Sequence, residues 1–375
     1  MRIRNRTNNI LYITEADWAG NKDHVISHVL RIEEFQVFYL NRSFYNFAFE
    51  GGKDHKVDLK RAEKIILLLQ SGIFDVIAGD CIDVMILKHH CRELGLDDPP
   101  AVMTTLEPRL ERYVEIGEIV RAKSKRNPAH GIATAGNVLW LCPSKEFRPV
   151  LEDRGIRKER IFYFPSTTFV QNLMNPETDA AFRKSKTSKV QNKTAEGKII
   201  SAGVFNRDFS TFIKAMAGIN RQALIITDTG RLTGSLPLKK RKALISDIEN
   251  SKNVELKSAI PLPDYINTIK SASLVVVPLE TDYFNSGQLT IADAQRAGTP
   301  VIAADFATAR DFVKHGSTGL LYEPGNHADL KSKIQTILSD PGTAGEITLK
   351  ARRHERKLSR ECRRNLLAAF RSLYN

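Results

Sequence analysis

Cysteine is scarce in this 375-residue chain. Cys81, Cys91, Cys142 and Cys362 show neither the paired spacing of a metal knuckle nor a disulfide framework, which leaves a reducing cytosol as the simplest compartment. Long apolar runs are missing as well. The longest, residues 65–69, falls far short of the ~20 residues of a membrane span. Residues 10–13 are too short for a signal-peptide core, and Glu15 and Asp17 follow them. No solenoid-period repeat, aromatic-rich RNA-binding signature, zinc-finger spacing or Asp-x-Asp metal motif occurs. His89, His90 and Cys91 adjoin one another but have no second ligand cluster, so no metal site is expected. Acidic residues are outnumbered, 43 against 56 lysines and arginines. The net charge of +13 calls for an anionic partner: a nucleotide, a membrane surface or a nucleic acid.

What is present is a globular composition, 42% hydrophobic and 26% charged, on a chain long enough for two domains. Strand-like and helix-like runs alternate, the pattern of a parallel α/β sheet. Strands are expected at residues 10–14, 35–40, 75–79, 101–104, 137–142 and 160–164. Helices are expected at 22–32 (Val25, Val29 and Ile32 on one face), 57–71, 83–94 and 145–154. Residues 171–197 turn to Asn, Lys, Thr, Ser and Glu and read as a surface linker. The alternation restarts with strands at 198–202, 223–227, 254–257 and 274–278 and helices at 209–217 and 263–271. The expected organisation is a Rossmann-like domain over 1–170, a linker over 171–197, a second Rossmann-like domain over 198–345 and a basic closing helix over 346–375. In that last segment Leu358, Cys362, Leu366, Phe370 and Leu373 form one apolar stripe, amid Arg352, Arg353, Arg356, Lys357, Arg360, Arg363, Arg364 and Arg371. Its charges either face water or meet a membrane or nucleic acid.

The stretch Asn285 to Ala304, NSGQLTIADAQRAGTPVIAA, leads a small polar loop into a helix that stops at Gly298. A helix N-terminus has unpaired amides and partial positive charge, a ready anion site. Gly287 lets backbone approach a ligand, Thr290 adds a hydroxyl, and Asp293 one turn on could accept two adjacent sugar hydroxyls. A capped helix with a solvated acid explains the same residues equally well.

This stretch, extended through GSTGLLYEPGNHADLKSKI, resembles the C-terminal signature of the retaining nucleotide-sugar glycosyltransferases of the GT-B fold, the group 1 or family 4-like transferases. NVELKSAIPLPDYINTIKSASLVVVPLE, ISAGVFNRDFSTFIKAM and VLWLCPSKEFRPVLEDRGIRKERIFYFPST are similar to further segments of that family. The resemblance is strongest from about residue 198 to 334. It implies two Rossmann-like domains facing each other across a cleft, with the C-terminal helix crossing back. Carried over by position, Asp293 matches the glutamate that binds the nucleotide ribose. Asn285 stands where the family has the glutamate that helps hold the transferred sugar. Ser286, Gly287, Gln288, Leu289 and Thr290 match the turn that meets the diphosphate, and Gly203 the glycine loop opening the second domain. Arg207 falls near the basic clamp of the diphosphate, or else forms a structural pair with Asp208. Val204 replaces a basic residue, and Gly20 matches an N-domain glycine, with Lys22, His24 and His28 nearby.

The resemblance implies transfer of a sugar, as a hexosyl group, from a nucleotide diphosphate sugar, with retention, Arg207 and Asn285 at the reacting centre, and neither cofactor nor obligatory metal. The acceptor would be a glycan, lipid-linked or other compound held by the N-terminal domain. A peripheral contact with anionic membrane at its inner face would suit the charge. A GT-B sugar-nucleotide epimerase, an inactive nucleotide-binding homologue, and a basic nucleic-acid- or membrane-binding protein are the alternatives; no motif points to nucleic acid.

Overall fold

β-Branched and aromatic residues recur in short runs along the first half of the chain, and seven runs hydrogen-bond into one sheet. The computed structural model describes residues 8–14, 29–32, 35–41, 73–80, 100–104, 135–153, 155–165, 197–204, 206–229, 238–258, 260–282 and 286–373, with residues 67, 84, 87, 88, 91, 92, 95, 96, 167, 180 and 182. They belong to two compact units, Met1–Phe164 with Arg364–Asn375, and Pro165–Arg363.

In the first unit the strands are β1 (Asn8–Thr14), β2 (Val29–Ile32), β3 (Phe35–Asn41), β4 (Val76–Asp80), β5 (Ala101–Thr104), β6 (Val138–Cys142) and β7 (Ile161–Tyr163). They stand in the order β2-β3-β1-β4-β5-β6-β7. All neighbours are parallel except β2, which runs antiparallel to β3 with Ile32 opposite Phe35. This corrects the helix expected through residue 32. The pairing leaves only two residues between the strands, hairpin length, and the ladder with β3 overrides the helical spacing of the apolar residues. Between β4 and β5, Val84, Leu87, Lys88 and Cys91 are helical and buried, spaced as one helix face. The buried Lys88 Nζ donates to Asn137 Oδ1 at 3.3 Å. His89 and His90 lie outside the described residues, as does the helix expected at 57–71 apart from Leu67, which is helical. Trp140 on β6 is fully buried. A 3-10 turn, Lys145–Phe147, and α1 (Arg148–Asp153) lead to β7.

The second unit has six parallel strands, β8 (Ile199–Ala202), β9 (Ala223–Thr227), β10 (Val254–Ser258), β11 (Leu274–Val277), β12 (Val301–Ala304) and β13 (Leu320–Tyr322). Their order, β10-β9-β8-β11-β12-β13, is that of a dinucleotide-binding doubly wound sheet. β8, β9, β11 and β12 are buried throughout, as strands covered on both faces must be, whereas the edge strand β10 buries only Val254. The helices are α2 (Phe209–Met216), α3 (Leu238–Glu249), α4 (Leu262–Ser271), α5 (Gln288–Ala297), α6 (Ala307–Arg310), α7 (His327–Ser339) and α8 (Pro341–Arg371).

The basic closing segment belongs to α8, a 31-residue helix that already begins at Pro341. Leu358, Cys362, Leu366 and Phe370 are buried along one stripe, while Leu373 is half-buried. The large side chains contribute roughly 1.5–3 kcal/mol each by leaving water. The last turns pack within the first unit, where Phe370 stacks 5.5 Å from Phe35 and Asn365 Nδ2 donates to Tyr163 O at 2.8 Å. Of residues 171–197, Ala180, Phe182 and Gly197 are described. Phe182 is buried, with the Arg296 guanidinium 4.2 Å from its ring and Lys270 Nζ donating to its carbonyl at 2.7 Å.

Candidate functional site

β8 and β11 are neighbours where the strand order of the second sheet reverses, so the loops at their carboxyl ends flank the crevice that such sheets offer a ligand. The loop after β8 carries Gly203 and Arg207. Gly203 has φ 128°, and a Cβ there would overlap the Arg207 guanidinium, which therefore lies flat against bare backbone. Arg207 Nε donates to Ala202 O at 2.9 Å, and Nη2 lies 3.5 Å from Thr290 Oγ1. The Arg207 backbone bridges Leu279 in antiparallel fashion. Burial pulls the Arg207 pKa down to about 10, with Tyr265 acting in the opposite direction, so the guanidinium stays a cation at neutral pH. Asp208, its suggested structural partner, instead caps α2, its Oδ1 accepting from Thr211 N at 2.9 Å.

The loop after β11 ends in Ser286 and Gly287. Gly287 is the N-cap of α5 with φ 86°, and a Cβ on it would come within 2.9 Å of Val277 Cγ1. The fold thus requires glycine here on two counts, conformation and close packing. No side chain caps this helix. Its first intrahelical bond is Ile291 N to Gly287 O at 3.0 Å, so the amides of residues 288–290 lie ahead of the ladder with the positive end of the helix dipole. Gln288 is buried and its Nε2 donates to Thr308 O at 3.3 Å, which turns its side chain into a brace toward α6. Leu289 is exposed, and Thr290 is buried beside Arg207.

Asp293 follows one turn later and is only 2% exposed. Its Oδ2 accepts from Tyr265 Oη at 3.1 Å, delivered by α4. Burial, then the Asp293 charge and hydrogen bond, push the Tyr265 hydroxyl well above its ordinary pKa, with Arg207 and Thr290 opposing. It is therefore a fixed donor. Gly203, Arg207, Ser286, Gly287, Gln288, Leu289, Thr290 and Asp293 are thus brought to one end of the second sheet. Gly20, Lys22, His24, His28 and Asn285 lie outside the described residues. Among the described residues no group of three His, Cys, Asp or Glu comes together, and no helix is long and apolar enough to cross a membrane.

Two members of the constellation escaped the sequence reading. Tyr265 lies 28 residues from Asp293 and has no local signal beyond its place on an amphipathic helix. Asn206 precedes Arg207 in a turn-like Phe-Asn-Arg-Asp run, and its φ of 54° makes it the sole non-glycine with positive φ among the described residues.

Residues 182–354 match the model of the family described as Glycosyl transferases group 1. That match falls within the second unit. Within it lie all the described site residues. D-inositol 3-phosphate glycosyltransferase 1 of Catenulispora acidiphila is 28% identical over 154 residues, 40% of this chain and 36% of that protein. D-inositol 3-phosphate glycosyltransferase of Rhodococcus jostii is 33% identical over 96 residues, 26% and 21% respectively. The chain thus spans about a third or less of these curated relatives. Among solved structures, sucrose-phosphate synthase from Thermosynechococcus elongatus superposes with a TM-score of 0.64 at 16% identity, covering 98% of this chain and 99% of that one. HepE of Anabaena in complex with UDP-glucose gives 0.61 at 17% identity, covering 82% and 81%. These likenesses show the GT-B fold, and the match to the group 1 family lies in the second of the two Rossmann-like units.

Proposed function

We infer that this protein is a glycosyltransferase that takes a glycosyl group from a nucleoside diphosphate sugar and passes it to an acceptor bound by the first unit. One observation carries the reading: a half-buried guanidinium, Arg207, and an uncapped helix N-terminus at Gly287 flank the strand-order reversal, with the buried carboxylate of Asp293 one turn below. A diphosphate leaving group departs with the electron pair of its bond to the anomeric carbon. Fixed cationic and N–H dipoles aimed at that growing charge supply most of what the step requires. Asp293, oriented by Tyr265, would accept from the ribose hydroxyls. The new bond forms from the acceptor oxygen to the same carbon, and the acceptor proton passes to the departing phosphate in the retaining course we propose. By their match to the family's positions, Asn285 is proposed to contact the transferred sugar, a hexosyl group, and Gly20 to contribute to donor binding.

No metal is needed in this scheme, since Arg207 and the amides of residues 288–290 carry the neutralising charge; turnover that persists in EDTA would support it. The complexes of HepE with UDP and UDP-glucose support a nucleoside diphosphate as ligand class. The outer face of α8 supports a peripheral contact with anionic membrane, in keeping with a glycan or lipid-linked acceptor. Lys350, Arg353, Arg356, Lys357 and Arg360 are exposed at intervals of three and four residues, with Leu349 53% exposed at one end. The reading is tested by a thermal-shift screen over UDP-, GDP- and ADP-sugars, followed by turnover with the best donor. A chain that responds to none of them overturns it.

A further inference from the structure

The side-chain amide of Asn206 exhausts its hydrogen-bonding capacity on one distant loop. Its Oδ1 accepts from Thr281 N at 3.0 Å and from Thr281 Oγ1 at 3.1 Å. Its Nδ2 donates to Thr281 O at 2.7 Å and to Ser286 Oγ at 2.8 Å. A carboxamide offers two donors and two acceptor lone pairs, and all four are taken. The residue does this from a left-handed backbone, φ 54°, a conformation that asparagine tolerates better than other side-chain-bearing residues. Next to it, Arg207 bridges Leu279, and Asp208 N donates to Pro278 O at 3.1 Å. Residues 206–208 are therefore laced against 278–281, and the Asn206 amide extends the lacing to Ser286, the residue before the Gly287 turn.

We propose that Asn206 is a positioning residue that holds the Arg207 guanidinium and the amide turn of α5 at one fixed separation, so that both meet the same diphosphate. Each group is braced within its own loop, Arg207 by Ala202 O and Gly287 by Val277, and the Asn206 amide ties the two loops to each other. The amide of Asn206 binds the carbonyl and amide of one residue of the opposing loop and the hydroxyl of another, fixing direction as well as distance. Preorganised donors do not have to reorganise when charge arrives, and that is where their advantage lies.

This inference rests on the donor-site reading above and is tested separately from it. Asn206→Gly keeps the left-handed backbone and removes the clamp. Asn206→Asp keeps the acceptor and turns an oxygen toward Thr281 O and Ser286 Oγ. Kd for UDP and for uridine is measured by titration calorimetry on the full chain, with melting temperature alongside. Asn206→Gly is expected to weaken UDP about tenfold or more, the equivalent of one charge-assisted bond, and to leave uridine within about twofold. Asn206→Asp is expected to weaken UDP further. Ser286→Ala, which removes one of the four bonds, should fall between wild type and Asn206→Gly. Equal losses for UDP and uridine, or UDP affinity unchanged in a folded Asn206→Gly, would overturn the positioning role alone. Wild-type protein that binds uridine and UDP equally well would overturn the diphosphate reading and this inference with it.

Discussion

Replacing Arg207 by methionine separates stability from binding. The side chain keeps an apolar stem and loses the charged head that lies against Gly203. In the folded chain burial lowers the guanidinium pKa to about 10. That displacement corresponds to roughly 3 kcal/mol for keeping the head charged, reduced to about 1–3 kcal/mol by the solvent that still reaches a half-buried group. The sign follows from linkage. Below pH 10 both folded and unfolded chains carry the charge, and the folded one bears the full cost. Above about pH 10 the folded chain gives up its proton before the unfolded one does, and stability rises with pH. At neutral pH Arg207 is thus a burden on the fold, offset in part by its bond to Ala202 O. Arg207→Met should melt at the wild-type temperature or a few degrees above it. Binding should behave in the opposite way. Two charge-assisted bonds to phosphate at about 1.5–3 kcal/mol each correspond to about a 100- to 10,000-fold loss in UDP affinity. Uridine, which lacks the diphosphate, should bind as before. Calorimetric titration with both ligands and a thermal melt read all three quantities. A lower melting temperature together with equal losses for UDP and uridine would refute the reasoning and make Arg207 a structural residue.

Asp293→Ala should act on the nucleoside instead, weakening UDP and uridine alike by about tenfold or more, and should destabilise the fold by ~1–3 kcal/mol because Tyr265 loses its buried acceptor; unchanged affinity in a folded variant, read by titration, would remove the ribose assignment. Asn285→Glu, assayed for turnover against a donor panel, should shift donor preference; a uniform gain with every donor would mean instead that asparagine impairs catalysis at this position. Neutralising Arg353, Arg356 and Arg360 to glutamine should abolish salt-sensitive flotation with phosphatidylserine vesicles, at ~1 kcal/mol per charge, while UDP affinity stays constant. Absent or salt-insensitive flotation of the wild type would leave those charges facing water, and tighter binding to RNA would point to a nucleic-acid partner.

Much of the second unit was legible because its information is local. Continuous apolar runs such as LVVV and ALIIT can only be strands covered on both faces, and they are. The Gly287 turn and the Gly298 stop both take left-handed φ, as a helix bounded by glycines suggests. Local spacing misled at residues 29–32, where an antiparallel partner decided the outcome. The span of α8 was also read short, from 346, although Pro341 stands at its first position and Asp340 ahead of it accepts from Thr343 N at 2.9 Å.

The chain alone marked out the candidate groups: one arginine and one glycine-led helix start for a diphosphate, and one carboxylate a turn further on for a ribose. Side-chain chemistry and periodicity are properties of short stretches, and short stretches are what a sequence displays. Tertiary structure decided how those groups are held. Tyr265 reaches Asp293 across 28 residues because α4 packs against α5, and Asn206 reaches Ser286 across 80 because strands β8 and β11 are neighbours in the sheet though far apart in the chain. Whether Asp208 pairs with Arg207 or caps α2 was likewise a matter of where the next helix begins. Hydrogen bonds made at such separations have no periodicity to read; they exist only once parallel strand order has brought the loops together.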